Sequence, residues 1–476
     1  MPGIIDAVLI GAGSRGGEVY GAHALAHPGQ IRFVAVAEPH PIRRARFADA
    51  HGIPTARQFE TWQDLISAGR LAEAAVIATQ DDMHAPPAIA ALHTGYHVLL
   101  EKPMANNLAD CVRLVQAAEE TGRLLQISHV LRYTRFFSTV HDLIDSGSLG
   151  QVIAVEQREN VSYWHMAHSY VRGNWRRRAL SPMILAKCCH DLDLLYWFLG
   201  PCKQLSSTGA LLHYRAENAP PGAPARCTDG CPHAGSCPWY APRLYLDLVP
   251  LLQVARGSSN LLERLGATMA LDYRGLTRLL RRLVPWVDAA LDYRGWPISA
   301  LSEDTSPQAR WRALEEGPYG RCVYHCDNDV VDQQTVSMTF ASGVSAVLVM
   351  HGHSHEEGRT IRVDGSHATL LGRFTLNRQE IELHDHHTRR VRRVQIRQPV
   401  RGTTGHGGGD AMLIAAFVAA LRNRSPMQTT ARASLESHLM AFAADEARLQ
   451  GSVIDMDAYR RQAEAIAVRQ VGEEQG

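Results

Sequence analysis

Residues 7–38 read AVLIGAGSRGGEVYGAHALAHPGQIRFVAVAE: an apolar run, a glycine-rich turn, a helical stretch and a second apolar run. Gly11, Gly13 and Gly16 fit the pattern G-x-G-x-x-G directly after the first predicted strand. The first glycine permits a tight turn, the second lets a pyrophosphate approach the backbone, and the third lets the helix pack on the strand. The stretch therefore predicts the first β-α-β unit of a dinucleotide-binding domain.

The second strand of this unit ends in Glu38, at the distance expected for a carboxylate that bonds the adenosine ribose. A carboxylate there accepts hydrogen bonds from a free 2′-hydroxyl and repels a 2′-phosphate, so NAD is favoured over NADP. Arg43 and Arg44 follow closely, and they either offset that repulsion or are solvated helix charges. The phosphates are expected at the start of the helix, where Ser14 and Arg15 lie.

Short apolar runs alternate with helical patterns through residues 1–130, which is typical of parallel strands joined by right-handed crossovers. We therefore predict an α/β fold that begins with a doubly wound parallel sheet of the Rossmann type. The predicted strands are Ala7–Ile10, Phe33–Ala37, Ala75–Thr79, His97–Leu100 and Leu124–Ser128, with helices at Arg43–Ala50, Pro87–His93 and Ala109–Thr121.

The pattern changes after Gly150, where β-rich runs are joined by short turns and the helices are grouped apart. We expect residues 131–476 to form a second, α+β domain with a large, mostly antiparallel open sheet for substrate binding and oligomerisation. Its predicted helices are Ile184–Leu199, Ala411–Arg422 and Ser434–Leu449. Its predicted strands are Gln151–Asn160, Thr335–Phe340, Val344–Met350, Thr360–Val363, Ile381–His384 and Arg390–Ile396.

Residues from about 216 to 326 fit neither pattern and are interpreted as an insertion into the second domain. The insertion carries five of the nine cysteines, spaced C-x3-C-x5-C at its start and C-x3-C at its end. Both ends must return to the same sheet, so four thiolates could meet there and hold a structural Zn²⁺. An iron–sulfur cluster, free thiols and disulfides are the alternatives. The predicted ligands are Cys227, Cys231, Cys237 and Cys326, with Cys322 as a substitute.

Glu101-Lys102-Pro103, after the strand at His97–Leu100, resembles a motif of the glucose–fructose oxidoreductase/inositol dehydrogenase (Gfo/Idh/MocA) family. The resemblance implies a Rossmann domain, a second domain whose open sheet commonly supports oligomers, and a nicotinamide cofactor. It also implies sugars, cyclitols or related polyols as substrates. Further matches to the family lie on both sides of this motif. Ala78-Thr79-Gln80, His84 and Gly95-Tyr96-His97-Val98 precede it, and Arg132-Tyr133 and His190-Asp191-Leu192-Asp193 follow it.

By the same resemblance, Lys102 and His190 lie beside the nicotinamide and the reacting carbon, and the Lys102–Pro103 bond is expected to be cis. Thr79, His84 and Glu101 are expected among the cofactor contacts. Oxidation of a secondary alcohol sends a hydride to the cofactor while a base takes the hydroxyl proton. A histidine titrates near neutral pH, whereas a lysine can act as an acid or base there only if burial or nearby positive charge lowers its pKa. The sequence leaves open which of the two takes the proton first.

The chain departs from the family pattern just before His190. Many members place an aspartate four residues before this histidine, where this sequence has Ala186. Lys187 follows, and it either replaces the missing carboxylate as a polar partner of substrate or His190, or pairs with Asp191 on the surface. Other side chains of the expected cleft could bind substrate hydroxyls, although Asp193 fits a structural role equally: Tyr163, Asn174, Trp175, Arg176 and Asp193.

The composition narrows the class of protein further. Forty-nine Lys and Arg nearly balance 48 Asp and Glu, which gives no bulk attraction for nucleic acid or acidic membranes. No apolar run approaches a membrane span and no export signal is visible, so we expect a cytoplasmic protein. The sequence predicts an NAD-dependent oxidoreductase acting on a secondary hydroxyl of a carbohydrate or cyclitol, and a homo-oligomer. The alternatives are a glycoside-cleaving enzyme that uses transient oxidation and elimination, and a non-catalytic NAD-binding sensor.

Overall fold

The computed structural model describes residues 3–273, 275, 277, 293–396, 406–422 and 426–474. The strands, numbered along the chain, are β1 (Ile5–Ile10), β2 (Ile31–Ala37), β3 (Gln58–Phe59), β4 (Ala74–Ile77), β5 (His97–Leu100), β6 (Leu125–Ile127), β7 (Val152–Ser162), β8 (Cys202–Ala210), β9 (Gln333–Phe340), β10 (Ser345–Ser354), β11 (Gly358–Gly365), β12 (Ala368–Thr375), β13 (Gln379–Asp385), β14 (Val391–Val394) and β15 (Val453–Asp455).

The α-helices are α1 (Ala22–Ala26), α2 (Pro41–His51), α3 (Trp62–Ser67), α4 (Ala85–Thr94), α5 (Leu108–Thr121), α6 (Arg135–Asp145), α7 (Tyr163–His165), α8 (Met183–Ala186), α9 (Cys189–Leu199), α10 (Ala241–Tyr245), α11 (Val249–Arg256), α12 (Leu261–Asp272), α13 (Pro307–Glu316), α14 (Gly409–Leu421), α15 (Ala431–Gln450) and α16 (Met456–Glu474). Two π-helical stretches precede α1 and follow α7: Ser14–Gly21 and Met166–Arg172. None of the helices in these described ranges is long and apolar enough to cross a bilayer.

The first sheet contains six parallel strands in the order β3-β2-β1-β4-β5-β6. This is the order of a doubly wound dinucleotide-binding fold, and it confirms the predicted architecture. The central strands are buried on both faces, as the side chains of Val8, Leu9 and Val76 show, because helices cover the sheet from both sides. The carboxyl ends of β1, β4 and β5 meet at one edge, where the cofactor and reaction residues were expected.

Among the described residues, the second sheet contains nine strands in the order β14-β13-β12-β11-β7-β10-β9-β8-β15, and β7 and β10 are its one parallel pair. The prediction of a large, mostly antiparallel sheet is therefore confirmed. Helix α15 packs against β8, α9 and α5, so it joins this sheet to the first one. The prediction missed β8, β12, α6 and α16, and it placed one helix where α8 and α9 are separated by a break at Lys187 and Cys188.

The insertion lies between β8 and β9, and its two ends come together as expected. Arg226 and Arg321 form an isolated antiparallel bridge. The amide of Cys227 donates to the carbonyl of Gly320 at 2.8 Å, and the amide of Cys322 donates to the carbonyl of Ala225 at 2.9 Å. The helices of the insertion bury a small apolar cluster against Trp164 of the second domain: Leu244, Tyr245, Ile298 and Leu314. The domain limits at residue 130 and at about 216 and 326 remain predictions.

Candidate active site

In the glycine turn after β1, Gly11 and Gly16 pack closely against neighbouring backbone atoms, whereas Gly13 faces open space. Gly11 has a φ of +91°, and a side chain there would come within 2.7 Å of the Ala78 carbonyl oxygen. A Cβ at Gly16 would lie 1.9 Å from the Gly11 carbonyl oxygen, whereas a Cβ at Gly13 would meet nothing within 4 Å. Gly13 therefore leaves open space beside the backbone, as the approach of a pyrophosphate requires.

The Glu38 carboxylate lies at the end of β2 against this turn. It is 5% exposed, and it accepts hydrogen bonds from the amides of Ala12 at 2.8 Å and His40 at 2.9 Å. A carboxylate has about four acceptor positions, so both oxygens can still accept a ribose hydroxyl. Arg43 pairs with Glu303 of the insertion, and the guanidinium of Arg44 donates to the Glu38 carbonyl oxygen at 2.6 Å. Both arginines already have partners, so neither is a free cation for a 2′-phosphate.

Arg15 joins the glycine turn to both halves of the chain. Its guanidinium pairs with Glu101 at 2.6 Å and with Asp410 of α14 at 2.7 Å, and it lies over the ring of Tyr20. Burial alone would raise the pKa of Glu101, but Arg15 and the Tyr20 hydroxyl outweigh it and lower that pKa. Burial likewise opposes ionisation of Asp410, but Arg15 and His406 lower its pKa. The contacts of Arg15 therefore link the glycine turn to the residue that follows β5 and to α14.

Ser14, Thr79 and His84, expected near the cofactor, lie around the same edge. The Ser14 hydroxyl donates to Glu18 at 3.3 Å, and the Thr79 hydroxyl donates to the Met83 carbonyl at 2.9 Å. The His84 ring is buried between two carbonyl oxygens, those of Pro103 at 2.6 Å and Thr79 at 3.2 Å. His84 thus holds together the loops that follow β4 and β5.

Lys102 and His190 lie where these loops meet the second domain. The Lys102–Pro103 bond is cis, as expected, and Nζ of Lys102 donates to the Ala186 carbonyl oxygen at 2.8 Å. His190 is 4% exposed, and its Nδ1 has no hydrogen-bond partner. Burial, followed by the nearby charge of Lys102, lowers the pKa of His190 well below its usual range. His190 is therefore a neutral imidazole with a free ring nitrogen beside a lysine.

Three further histidines extend the site, two beside the ring of His190 and one beside His129. The rings of His129 and His406 lie 5.7 and 5.9 Å from the ring of His190. His438 of α15 lies 5.6 Å from His129, accepts the Met104 amide at 2.9 Å and donates through Nδ1 to the Ser434 carbonyl at 2.8 Å. Burial lowers the pKa of His129 well below the usual range and that of His438 to about 3. His129 and His438 therefore add neutral imidazoles to this part of the site.

Lys187 does not form the predicted surface pair with Asp191. Its side chain is 14% exposed, and its Nζ lies 2.8 Å from Glu357 and 3.3 Å from Glu159. Burial alone would lower the pKa of Lys187, but the two carboxylates outweigh it and raise that pKa. Asp191 pairs instead with Arg359 at 2.9 Å. The surface-pair interpretation is wrong because the break between α8 and α9 turns Lys187 inward.

Glu357 is the site residue that sequence reasoning missed most clearly. One oxygen accepts from Lys187 at 2.8 Å and lies 2.9 Å from Nδ1 of His165, and the other accepts the Ser162 amide at 2.7 Å. The electrostatic effect of Lys102 also reaches His165, whose pKa is lowered, chiefly by burial. Burial raises the pKa of Glu159 to about 7 against the opposing charges of Arg359 and Lys187. A network of buried charges therefore extends from the second sheet toward Lys102.

The predicted substrate contacts lie in two settings. Asn174 and Trp175 donate to Gln80 at 3.3 Å and Asp81 at 3.0 Å, so they bridge the second domain to the loop after β4. Arg176 pairs with Asp327 at 2.9 Å, and the Tyr163 hydroxyl donates to Gln253 at 3.4 Å. Asp193 is fully buried, and both its oxygens lie 2.6 Å from the guanidinium of Arg132. This bidentate pair supports the structural alternative for Asp193.

The insertion reaches both ends of the expected cleft. Glu303 pairs with Arg43 and Arg46 on α2, which flanks the predicted adenosine side. The ring of Trp296 packs on His165 at 4.9 Å between ring centroids. One segment thus contacts the nucleotide-binding sheet and the charged network of the second domain.

None of the nine cysteines forms a disulfide. Cys227, Cys231, Cys237 and Cys322 line one cavity at the base of the insertion. Cys326, chosen as a ligand from the sequence, instead directs its thiol to the Cys322 carbonyl oxygen at 3.3 Å. Within the described ranges, no three or more His, Cys, Asp or Glu side chains converge on a position that could hold a metal ion.

A Rossmann sheet with a glycine turn and a carboxylate after β2, joined to an open mixed sheet, defines a two-domain dinucleotide-binding protein. A family model described as "Oxidoreductase family, NAD-binding Rossmann fold" matches residues 5–129, and a model of the "GFO/IDH/MocA C-terminal domain" matches residues 137–224. Both models describe domains of the Gfo/Idh/MocA oxidoreductase family, so the predicted resemblance to that family is confirmed over these residues.

Relatives and solved structures agree with this assignment. The inositol 2-dehydrogenase of Salmonella typhimurium is 29% identical over 170 residues, which cover 36% of this chain and 47% of that protein. The chain thus spans about half the length of the curated relatives it matches. An oxidoreductase from Agrobacterium radiobacter in complex with NAD⁺, L-tartaric acid and magnesium has a TM-score of 0.63 and 14% identity, over 95% of this chain and 99% of that one. The WlbA dehydrogenase of Bordetella pertussis in complex with NADH and UDP-GlcNAcA has a TM-score of 0.60 and 16% identity, over 95% and 98%.

Proposed function

We propose that the protein is an NAD-dependent dehydrogenase that oxidises a secondary hydroxyl of a sugar, sugar derivative or cyclitol. The observation that carries this proposal is the proximity of Lys102 and His190: burial and then the charge of Lys102 lower the pKa of His190, whose Nδ1 has no hydrogen-bond partner. The relatives named inositol 2-dehydrogenase support a polyol substrate. Because the chain matches only about half of those proteins, the substrate class belongs to the proposal.

The residues fit a nicotinamide dinucleotide. Gly11, Gly13 and Gly16 would accommodate the pyrophosphate, and Glu38 would accept the adenosine ribose hydroxyls. The bound nicotinamide would supply the hydride acceptor for alcohol oxidation. The Glu38 carboxylate supports NAD rather than NADP because it would repel a 2′-phosphate. Arg43 and Arg44 would not offset this repulsion, since Arg43 pairs with Glu303 and Arg44 donates to the Glu38 carbonyl oxygen.

The chain's own groups would position the alcohol and move its proton. A lysine ammonium has three donors, and the Ala186 carbonyl takes one from Lys102, so two remain for the substrate oxygen. A neutral imidazole can accept a proton, and Nδ1 of His190 has no other partner. We therefore assign His190 as the proton acceptor and Lys102 as the group that orients and polarises the hydroxyl. Glu357 would position Lys187 and His165 at the side of the cleft where many family members place an aspartate.

The experiment is a panel of sugars and cyclitols incubated with the purified protein and NAD⁺, with NADH followed by absorbance. Once a substrate is found, the Lys102→Met and His190→Gln variants are expected to lower kcat/KM at least 100-fold, because proton transfer commonly contributes that much. NADH binding, measured by fluorescence, should change little. The matched controls are Lys203→Met and His93→Gln, which remove exposed side chains of the same types.

Three outcomes distinguish the competing functions. NADH accumulation with substrate supports the dehydrogenase. Cleavage of a glycoside without net NADH would assign the transient-oxidation alternative to the same residues. NADH binding without turnover of any compound would favour the sensor, and full activity in both site variants would refute the roles of Lys102 and His190.

We further propose a homo-oligomer built on the second sheet. One face of that sheet is covered by helices such as α15, while the other carries a broad concavity across β7 to β11. Ser337, Arg362 and Val347 are among the side chains that line it. Light scattering coupled to size exclusion tests this, and a mass of about one chain would refute it.

A further inference from the structure

The cavity at the base of the insertion gathers four thiols from two distant parts of the sequence. Cys227, Cys231 and Cys237 come from the first end of the insertion, and Cys322 comes from the other end, about 90 residues later. The bridge between Arg226 and Arg321 holds these ends side by side. The rest of the lining is mostly proline and aromatic side chains: Pro220, Pro224, Trp239, Tyr240 and Tyr324.

Arg172 lines the same cavity and is the largest fully buried side chain described, with 1% exposure. Its Nε donates to the Arg321 carbonyl at 2.7 Å and its Nη2 donates to the Trp239 carbonyl at 2.8 Å. The same Nη2 lies 3.6 Å from the sulfur of Cys227. No carboxylate in the described parts of the chain pairs with this guanidinium.

A buried guanidinium without a counter-charge is costly, because the desolvation penalty is several kcal/mol per ion. Carbonyl oxygens satisfy two of its donors but do not neutralise its charge. The groups beside Arg172 that can carry negative charge are the thiols of Cys227, Cys322 and Cys326 and the hydroxyl of Tyr245. Four thiolates bound to one metal centre keep a net negative charge. The position of Arg172 is therefore explained if the cavity holds a metal–thiolate centre.

We propose that Cys227, Cys231, Cys237 and Cys322 bind a thiolate-ligated metal centre, a zinc ion or an iron–sulfur cluster, whose negative charge is balanced by Arg172. Binding converts four thiols to thiolates and releases four protons to solvent. The thiols surround a cavity and do not converge on one point, so the centre either draws them inward or is larger than a single ion. The site fastens the two ends of the insertion.

Cys326 is excluded from the set, although its spacing from Cys322 equals that between Cys227 and Cys231. It does not line the cavity, and its thiol contacts the Cys322 carbonyl. This gives a matched pair of variants: Cys322→Ser removes a proposed ligand, whereas Cys326→Ser removes a neighbouring thiol four residues away. Cys111→Ser, within α5, controls for the loss of a buried thiol elsewhere.

The full chain is purified without oxygen or added metal, dialysed against EDTA, and analysed for zinc, iron and acid-labile sulfide. We expect about one zinc per chain, or iron and sulfide in near-equal amounts with absorbance near 400 nm. These two results distinguish the two kinds of centre, and both support the proposal. Cys326→Ser and Cys111→Ser should retain the wild-type metal content, and Cys322→Ser should contain at least tenfold less.

Several results would overturn the proposal, and the wild-type protein alone can supply two of them. Wild-type protein with no metal and four reactive thiols in the cavity refutes it, as does mass spectrometry that finds disulfides among these cysteines. Equal metal content in Cys322→Ser and wild type also refutes it. If Cys322→Ser is insoluble, Cys231→Ser, at a partly exposed position, takes its place. The readout is metal content, so it does not depend on the proposed dehydrogenase activity.

Discussion

Cofactor choice can be tested before any substrate is known, through the Glu38→Gln variant. Glu38 is buried at the end of β2, and its carboxylate accepts the amides of Ala12 and His40. The substitution keeps the size of the side chain but removes its charge and one acceptor oxygen. It therefore weakens the bond to a ribose hydroxyl and also removes the repulsion of a 2′-phosphate.

The expected effect on the two cofactors has opposite signs. A hydrogen bond to a charged group contributes about 1 kcal/mol more than one to a neutral group, so NADH should bind roughly five- to tenfold more weakly. Two unit charges 4 Å apart repel by about 1 kcal/mol in water and about 4 kcal/mol near a protein surface. With the lower value, NADPH should bind roughly fivefold or more tightly. The ratio of the two dissociation constants should therefore shift by at least about 25- to 50-fold.

The assay is a fluorescence titration of NADH and NADPH into wild type and variant. Loss of a backbone hydrogen bond in the glycine turn would weaken both cofactors, and the ratio removes that common effect. Arg43→Gln is the control, since Arg43 pairs with Glu303 and should not contact the cofactor. A ratio that Glu38→Gln changes by less than threefold would refute the assignment of Glu38 to the ribose.

Three further substitutions test the second domain. His438 has a pKa of about 3 when folded, below its unfolded value, so its contribution to stability is present above pH 6.5 and is lost as the pH falls. The free energy of unfolding of the wild type, measured with urea, should therefore decrease between pH 6 and pH 4.5. In His438→Gln this decrease should be less steep, by about 1.4 kcal/mol per pH unit. Asp193→Asn leaves Arg132 buried without a counter-charge and should cost about 3 to 5 kcal/mol in urea unfolding; a raised KM with unchanged stability would instead make Asp193 a substrate ligand. Glu357→Gln should lower kcat/KM by about 10- to 100-fold with NADH binding unchanged, because it weakens charged hydrogen bonds to a lysine and a histidine; Glu356→Gln, which alters a more exposed ion pair, should have little effect.

The parts of the fold that depend on local sequence were predictable. The glycine turn, Glu38 and the Rossmann strands follow from short-range patterns, because backbone geometry and burial are set within a few residues there. The meeting of the insertion ends followed from connectivity, since both ends had to return to one sheet. The helix predicted over Ile184–Leu199 was only partly right, because its apolar residues continue through the break at Lys187 and give no sign of it.

The parts of the site that depend on distant contacts were not predictable. Glu357 precedes a strand in a segment with no motif, and only the packing of β11 beside β7 brings it to Lys187 and His165. His438 lies 334 residues from Met104, whose amide it accepts. The choice between Cys322 and Cys326 has the same cause: both have the right chemistry, and only the packing of the chain decides which lines the cavity.

The insertion connects the cysteine cavity, the adenosine side of the cleft and the charged network around His165, although these three sites carry different chemistry. Its cysteines lie at its base, Glu303 contacts α2 beside the adenosine side of the cleft, and Trp296 packs on His165. A loop of about 110 residues has large conformational entropy when its ends are free. A covalent or metal link at its base removes part of that entropy and restricts where the rest of the loop can lie. Because its contacts with α2 and His165 lie far from its ends, the fastened base favours both contacts without touching either one. A metal centre there would therefore affect the enzyme by positioning the insertion against α2 and His165. Its loss should affect NADH binding and substrate binding together.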